Sequence, residues 1–199
     1  MTSTAGTQLY WFVGRGSGIV AYLLLTAIVT LGIALSRRWH APAWPRLVVH
    51  ELHRWATITF YAFLGVHTLM MLLDPFIGFS VADVTIPFVS GYRTLWLSLG
   101  IIAGELALAL GASVLVRDRI GYRAWHLLHG LAYPIFLLSL LHALGTGTDT
   151  RTPWALALYG GSLALVLAAT AWRLAPARAL PEPSRALPYR RPAEGDGRA

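Results

Sequence analysis

Histidine is the residue type whose placement in this chain most directly suggests chemistry. Seven histidines occur among 199 residues, and there is no cysteine. Without thiolates the chain cannot build a disulfide, a thiolate zinc site or an iron–sulfur cluster, so imidazole has to hold any redox centre. Four of the histidines form two spacings: His53 and His67 are 14 residues apart, and His129 and His142 are 13 residues apart.

These two spacings place the four histidines at two heights on a pair of parallel helices. At a rise of about 1.5 Å per residue, they correspond to about 21 Å and about 19.5 Å. The His53 level (His53 with His129) and the His67 level (His67 with His142) would each receive one imidazole from either helix. Two facing imidazoles can serve as the axial ligands of a haem iron. The pattern predicts two bis-histidine haem sites, one above the other.

Helix rotation supports the 14-residue spacing better than the 13-residue spacing. At about 100° per residue, 14 positions fall about 40° short of four full turns, so the two rings share a face. Thirteen positions fall about 140° short, which would splay the other two rings on a straight helix. Pro134 lies between them and cannot donate a hydrogen bond to the carbonyl of Gly130. We therefore expect a kink at this proline that re-aims one ring.

His50 and His126 each precede a histidine of the His53 level by three residues. Pairing His50 with His67, or His126 with His142, would leave rotational offsets of about 100° and about 160°. Neither alternative pairing has a smaller rotational offset than the pairing of the same helix that defines the two levels. We interpret both residues as interfacial groups near the lipid head groups. The alternatives are a hydrogen bond to a haem propionate or service as substitute ligands.

Five apolar stretches are long enough to position these histidines inside a membrane. Hydrophobic residues make up 56% of the chain and charged residues only 13%, and a soluble domain would have about 25% charged residues. About 20 helical residues cross the hydrocarbon core. The qualifying stretches run approximately over 18–36, 50–73, 94–116, 123–144 and 153–172. We predict an all-α bundle of five transmembrane helices, with the haem sites between the second and the fourth helix.

Arginine supplies every basic residue, because the sequence has no lysine. The sixteen arginines concentrate in the first and third connections and in the tail, which the positive-inside rule assigns to the cytoplasm. A net charge of +7 would also suit nucleic acid, but in so apolar a chain it favours anionic lipid, and no nucleic-acid partner is expected. We predict a multi-pass plasma-membrane protein with an N-terminal segment outside (1–15), a transmembrane haem-binding domain (16–173) and a disordered cytoplasmic tail (174–199).

Four charged residues are further candidates for the sites. Arg54 and Arg123 lie near the predicted cytoplasmic ends of the second and fourth spans, where they could pair with haem propionates; anchoring at the membrane surface explains them equally well. Arg93 lies near the opposite face and could meet a propionate or an anionic substrate. Glu105 is the only acid deep in a predicted span. We interpret it as a neutral or hydrogen-bonded acid facing the bundle, with a role in proton uptake or haem tuning as the alternative.

The chain resembles the ferric reductase-like transmembrane domain, the haem-binding membrane core of ferric reductases and NADPH oxidases. The resemblance covers about residues 14–172 and rests on HRWATITFYAFLGVH (53–67) and HGLAYPIFLLSLLH (129–142), with the flanking DPF, GYR and GTGTD. It implies two haem b groups, or one as in single-haem relatives, and four axial ligands: His53, His67, His129 and His142. Full-length members usually add a cytoplasmic domain for flavin and NAD(P)H, so this chain resembles a stand-alone bacterial version of the core.

The resemblance implies a membrane subunit of an oxidoreductase that works with a separate redox partner. A cytoplasmic flavoprotein or a quinol would donate electrons at the His53 level. Ferric iron, oxygen or an extracytoplasmic redox protein would accept them from the His67 level. The rival hypothesis is a metal or proton transporter that uses the histidines and Glu105. A transporter would need polar residues along its path, whereas the segments between the histidines are mainly aromatic and aliphatic.

Overall fold

The computed structural model describes residues 4–37, 39, 41 and 44–176, and the regular structure within them is helical. The helices are α1 (Thr4–Ser36), α2 (Arg46–Leu73), α3 (Val81–Thr85), α4 (Thr94–Ser113), α5 (Arg117–His129), α6 (Ala132–Thr146) and α7 (Pro153–Leu174), with a 3₁₀ turn at Val114–Val116. Five segments are long and apolar enough to cross a membrane: Gln8–Ser36, Arg46–Leu73, Thr94–Ile120, Tyr122–Thr146 and Pro153–Leu174. The prediction of an all-α bundle with five spanning helices is confirmed. From residue 177 onward, the predicted disordered tail lies outside the described residues.

The first helix begins earlier than the sequence pattern predicts. We expected the span to start near Gly18, but α1 begins at Thr4 and so takes in most of the predicted extracytoplasmic segment, 1–15. The apolar run LYWFV stands just before Gly14 and Arg15 and belongs to the same helix as the predicted span. The helix can continue through this arginine because its guanidinium pairs with Asp149 at the end of the bundle.

α1 lies at the centre of the bundle. It packs along α2 and contacts α6 and α7, while α4 packs along α6. The buried face of α1 brings Tyr22 against Phe136 of α6 and Tyr159 of α7, with ring centroids 5.6 and 5.3 Å apart. In the described part of the chain, α2 and α6 do not run backbone to backbone. A cleft is therefore left between the two helices that carry most of the predicted ligands.

The outward faces of the spanning helices are apolar. Leu108 of α4 and Leu165 and Leu167 of α7 are each more than half exposed. Trp154 and Trp172, at the two ends of α7, are also exposed, as in the aromatic belts of membrane proteins. Helices that present leucine in this way along their length require lipid around them.

The fourth span is not one continuous helix. α5 ends at His129 and α6 begins at Ala132. Because Pro134 has no N–H for the carbonyl of Gly130, the N–H of Tyr133 donates to that carbonyl instead, at 3.2 Å. Three residues in this tighter 3₁₀ geometry add about 60° of rotation, nearly half of the roughly 140° missing from the 13-residue spacing. The expected kink is thus a tightened turn on the N-terminal side of the proline.

Candidate functional site

Four histidines meet as two facing pairs. His53 of α2 lies opposite His129 of α5, with ring centroids 6.2 Å apart. His67 of α2 lies opposite His142 of α6, with centroids 6.3 Å apart. The ring planes are inclined by 47° and 79°, respectively. The structure brings together the same residues, at the same two levels, that the sequence spacings predict.

Both separations suit a metal ion held between two imidazoles. A metal–nitrogen bond of about 2 Å, with the ring centre about 1.1 Å behind the nitrogen, places two opposed ring centres about 6.2 Å apart. Among the described residues, no cluster of three or more histidine or carboxylate side chains could hold a bare ion. A haem iron needs only two axial ligands from the protein, because the macrocycle supplies the rest. The donor set therefore fits haem.

A cavity of about 870 Å³ opens between the helices at the His67 level. His67 and His142 both line it, and most of the remaining wall is apolar, as at Leu64, Leu97 and Ile101. The volume lies within the range of roughly 300–1,000 Å³ that is usual for sites enclosing organic ligands. Neither histidine of the other level lines this cavity, so the two levels differ in the space around their rings.

Three of the four rings are oriented by backbone carbonyl groups of a neighbouring helix. The hydrogen bonds run from Nδ1 of His53 to the oxygen of Ile28 (3.1 Å), from Nδ1 of His67 to that of Gly14 (2.7 Å), and from Nδ1 of His142 to that of Trp96 (2.9 Å). A carbonyl oxygen can only accept, so Nδ1 carries the hydrogen in each of these rings. The lone pair is then on Nε2, which is the atom left free to bind a metal.

His129 differs from the other three histidines. Its Nδ1 is buried and has no hydrogen-bond partner within the part of the chain that the structure describes. The ring packs against Trp125 of the same helix, with centroids 4.7 Å apart. The His53 level thus has one ring oriented by a carbonyl group and one oriented by aromatic packing.

The three arginines predicted as propionate partners have other surroundings. Arg54 pairs with Glu51, with 2.8 Å between Nη2 and Oε2. Arg93 donates to the carbonyl of Gly145 at 2.6 Å. Arg123 is exposed on α5. None of the three lines the cavity at the level of the second histidine pair.

His50 and His126 are both exposed. The imidazole of His50 lies 3.7 Å from the carboxylate of Glu51. The ring of His126 stacks on Tyr122, with centroids 5.6 Å apart and planes inclined by 19°. These neighbours suit the interpretation of both residues as interfacial groups.

Charged side chains also line the cavity. They are Arg15 of α1, Glu105 of α4 and Asp149 of the connection before α7. Arg15 pairs with Asp149 and donates to the hydroxyl of Thr148 at 2.9 Å. The hydrogen bond from Arg15 holds the pKa of the Asp149 carboxyl below its ordinary value of 3.8. Sequence reasoning missed Arg15 as a residue of the site; the apolar run LYWFV before it was the available signal that it lies within a helix of the bundle.

Comparison with known proteins found no relative of this chain. No protein-family model, no curated protein and no solved structure matches the chain. The resemblance to the ferric reductase-like membrane core stays a prediction, which rests on the two histidine segments and the flanking DPF, GYR and GTGTD.

Proposed function

We propose that this chain is a membrane cytochrome that moves electrons across the bilayer through two haem b groups, each bound by two histidines. The observation that carries the proposal is the separation of 6.2 and 6.3 Å between facing imidazoles. These rings stand on helices whose backbones do not pack together, and at the His67 level a cavity of about 870 Å³ opens between the helices. The hydrogen bonds at three Nδ1 atoms support the proposal, because they leave Nε2 free.

The residues of the chain hold, orient and insulate the proposed groups. His53 and His129 would hold one haem, and His67 and His142 the other. When bound, haem b supplies a one-electron carrier whose potential depends on its axial ligands and on the dielectric around it. Most of the cavity wall around the His67 level is apolar, which lowers the local dielectric. This combination favours electron transfer over a hydrated ion pathway.

The proposed distance between the two levels suits transfer across a membrane. α2 is continuous from Arg46 to Leu73, so the 14 residues between its two histidines span about 21 Å. The hydrocarbon core is about 30 Å thick. Phe60 and Tyr61 stand on α2 between the two levels, with ring centroids 5.1 Å apart. The two levels would thus cover most of the membrane, with aromatic rings between them.

The proposed partners follow from the resemblance and from the distribution of arginine. The chain would lie in the plasma membrane with its N-terminus outside and its C-terminus in the cytoplasm. A cytoplasmic flavoprotein or a quinol would be the donor. Ferric iron, oxygen or an extracytoplasmic redox protein would be the acceptor. The chain would then be the ferric reductase-like membrane subunit of an oxidoreductase.

The direct test is an optical spectrum of the purified full-length chain after expression with adequate haem. We expect b-type bands in the reduced-minus-oxidised difference spectrum and two haems per chain in a pyridine haemochrome assay, or one if a single site is filled. His67→Ala should remove about half of the haem, since one of the two levels would lose a ligand. The matched control is His50→Ala, an exposed histidine of the same helix, which should retain it.

Two outcomes would overturn parts of this proposal. A purified chain without b-type absorbance contradicts haem binding. If the same haem-free protein carried metal ions or protons into liposomes, the rival transporter, with Glu105 in the path, would take its place. Equal loss of haem from His67→Ala and His50→Ala would contradict the assignment of the ligands.

A further inference from the structure

The three histidines that donate to carbonyl groups meet the same local arrangement on the neighbouring helix. In each case the accepting carbonyl is followed, four residues later, by a glycine that the imidazole touches. The pairs of carbonyl and glycine are Gly14 with Gly18 for His67, Ile28 with Gly32 for His53, and Trp96 with Gly100 for His142. One arrangement thus occurs three times, twice on α1 and once on α4.

Helix geometry explains why a glycine stands at this position. In an α-helix the carbonyl of residue i accepts the N–H of residue i+4, and the Cβ of residue i+4 tilts back toward that carbonyl. A Cβ built on Gly18 would lie 2.8 Å from Nδ1 of His67, and one built on Gly100 would lie closer still to Nδ1 of His142. At these two glycines the imidazole therefore occupies the space that a side chain would fill, whereas a Cβ on Gly32 would stand in ordinary contact with the ring of His53. Glycine leaves the carbonyl open to a second donor.

A tyrosine shows the same arrangement and indicates that it does not depend on histidine. The hydroxyl of Tyr61 donates to the carbonyl of Ala107 at 2.6 Å, and a Cβ built on Gly111, four residues later, would lie 2.5 Å from that hydroxyl. Two other helical glycines have apolar neighbours instead, since a Cβ on Gly14 would meet the side chain of Met71 and one on Gly145 would meet the ring of Trp96. A Cβ on Gly16 or on Gly104 would meet no atom within 4 Å. The combination of an accepting carbonyl and a glycine four residues later therefore occurs here where a polar side chain crosses from one helix to the next.

We propose that Gly18, Gly32 and Gly100 are positioning residues for the axial ligands. Each glycine leaves one backbone carbonyl accessible to the facing imidazole. The hydrogen bond to this carbonyl fixes the Nδ1–H form of the ring and leaves its Nε2 free for coordination. This inference rests on the proposed function. A hydrogen bond from Nδ1–H to a carbonyl makes an imidazole a more basic ligand, which stabilises ferric over ferrous iron. Displacing the ring from its carbonyl should therefore raise the midpoint potential of the haem concerned.

The experiment is a series of glycine-to-alanine variants in the full-length chain. The expected shift in midpoint potential grows as the distance between the added Cβ and the imidazole shrinks. It should be large for Gly100→Ala and for Gly18→Ala. Gly32→Ala is mild, because its Cβ would stand 3.4 Å from Cε1 of His53. Gly16→Ala, two residues from Gly18 on α1, is the control without effect. In a redox titration, Gly18→Ala and Gly100→Ala should each shift the ferric-to-ferrous ratio of one haem about tenfold toward the ferrous form. This shift corresponds to about 59 mV for one electron.

A second measurement does not need haem. In the haem-free chain with ¹⁵N-labelled histidine, NMR should show the Nδ1–H form for His53, His67 and His142. Gly18→Ala and Gly100→Ala should each perturb the signal of one ring. Gly32→Ala, whose Cβ would be in ordinary contact with the ring of His53, keeps the series informative if Gly18→Ala and Gly100→Ala do not fold.

The outcomes separate this inference from the function on which it rests. A wild-type chain that binds no haem but shows three Nδ1–H rings contradicts the function and leaves the orientation of the rings in place. The positioning role is contradicted if Gly18→Ala and Gly100→Ala bind haem in normal amount and have the midpoint potentials of the wild type. An equal shift in Gly16→Ala would also contradict it, because it would show a general effect of alanine in α1.

Discussion

His67 and His142 face each other with ring centroids 6.3 Å apart, although their helices do not pack directly against each other. Each ring is held from behind by a different helix: Gly14 of α1 accepts from His67, and Trp96 of α4 accepts from His142. The gap between α2 and α6 is thus kept open by two helix pairs, α1 with α2 and α4 with α6. The relationship predicts that the two histidines act on one ligand.

A double variant tests whether these two histidines share a haem. If they do, His67→Ala and His142→Ala each remove the same group, and the double variant should lose no more haem than either single one, about half of the total. The contrasting pair is His53→Ala with His67→Ala, which takes one ligand from each level and should leave no stably bound haem. The measurement is haem per chain by pyridine haemochrome. Losses that add up in the first double variant would show that the rings belong to different sites.

The tightened turn before Pro134 should be needed to aim the rings of the fourth span. Pro134→Ala gives the carbonyl of Gly130 its α-helical partner again, so the 3₁₀ bond from Tyr133 should relax and rotate α6 by about 60° relative to α5. We expect haem content below two per chain with no loss of helical signal in circular dichroism.

The control for this variant is Pro153→Ala, at the first residue of α7. Proline is favoured there because the missing N–H would have no partner within the helix. This change should leave haem content unchanged. If Pro134→Ala also kept both haems and the wild-type spectrum, the turn would have no part in aiming the rings.

Sequence patterns predict the span ends where local signals are strong. Asp74-Pro75 and Pro153 mark helix ends, so the second span ends at Leu73 and the fifth begins at Pro153, as expected. The fourth span was predicted to begin near 123, and the structure places a non-helical Gly121, with a φ of 79°, just before it. These boundaries depend on residues within a few positions of the helix end, which a single sequence contains.

The backbone carbonyls that accept hydrogen bonds from the imidazoles were not predicted, because they depend on which helices are neighbours in the bundle. Gly18 and Gly32 are 14 residues apart, the same spacing as His53 and His67. On antiparallel neighbours, equal spacings meet at two heights, so the signal was in the sequence. It acquires meaning only once α1 is known to pack along α2. The pair of Arg15 and Asp149 in the cavity wall was missed for the same reason, since the two residues are 134 positions apart in the chain, whereas Glu105 in the same wall was a candidate from the sequence.

Tyr61 should contribute to the stability of the bundle without serving as a ligand. Its hydroxyl joins α2 to α4 through the carbonyl of Ala107. Tyr61→Phe removes this bond and should lower the free energy of unfolding by about 0.5–1.5 kcal/mol, with haem content unchanged. The measurement is unfolding in detergent followed by circular dichroism, with Tyr122→Phe, on a ring that is 70% exposed, as the control. Equal effects of the two variants would show that the α2–α4 bond contributes nothing.

The ion pair between Arg15 and Asp149 should make the stability of this end of the bundle depend on pH. The hydrogen bond from Arg15 lowers the pKa of Asp149 from its ordinary value of 3.8. A carboxyl whose pKa is lowered by folding stabilises the folded state above its unfolded pKa and loses this effect as the pH falls through the folded value. The wild type should therefore melt at a higher temperature than Asp149→Asn from pH 5 to 8, by a constant margin. The margin should shrink as the pH falls below 3.8 and vanish only below the folded pKa, which is lower still. The matched control is Asp118→Asn, which removes a carboxylate that is 95% exposed and should show no such margin. A difference between wild type and Asp149→Asn that persists at low pH would assign the effect to packing rather than to charge.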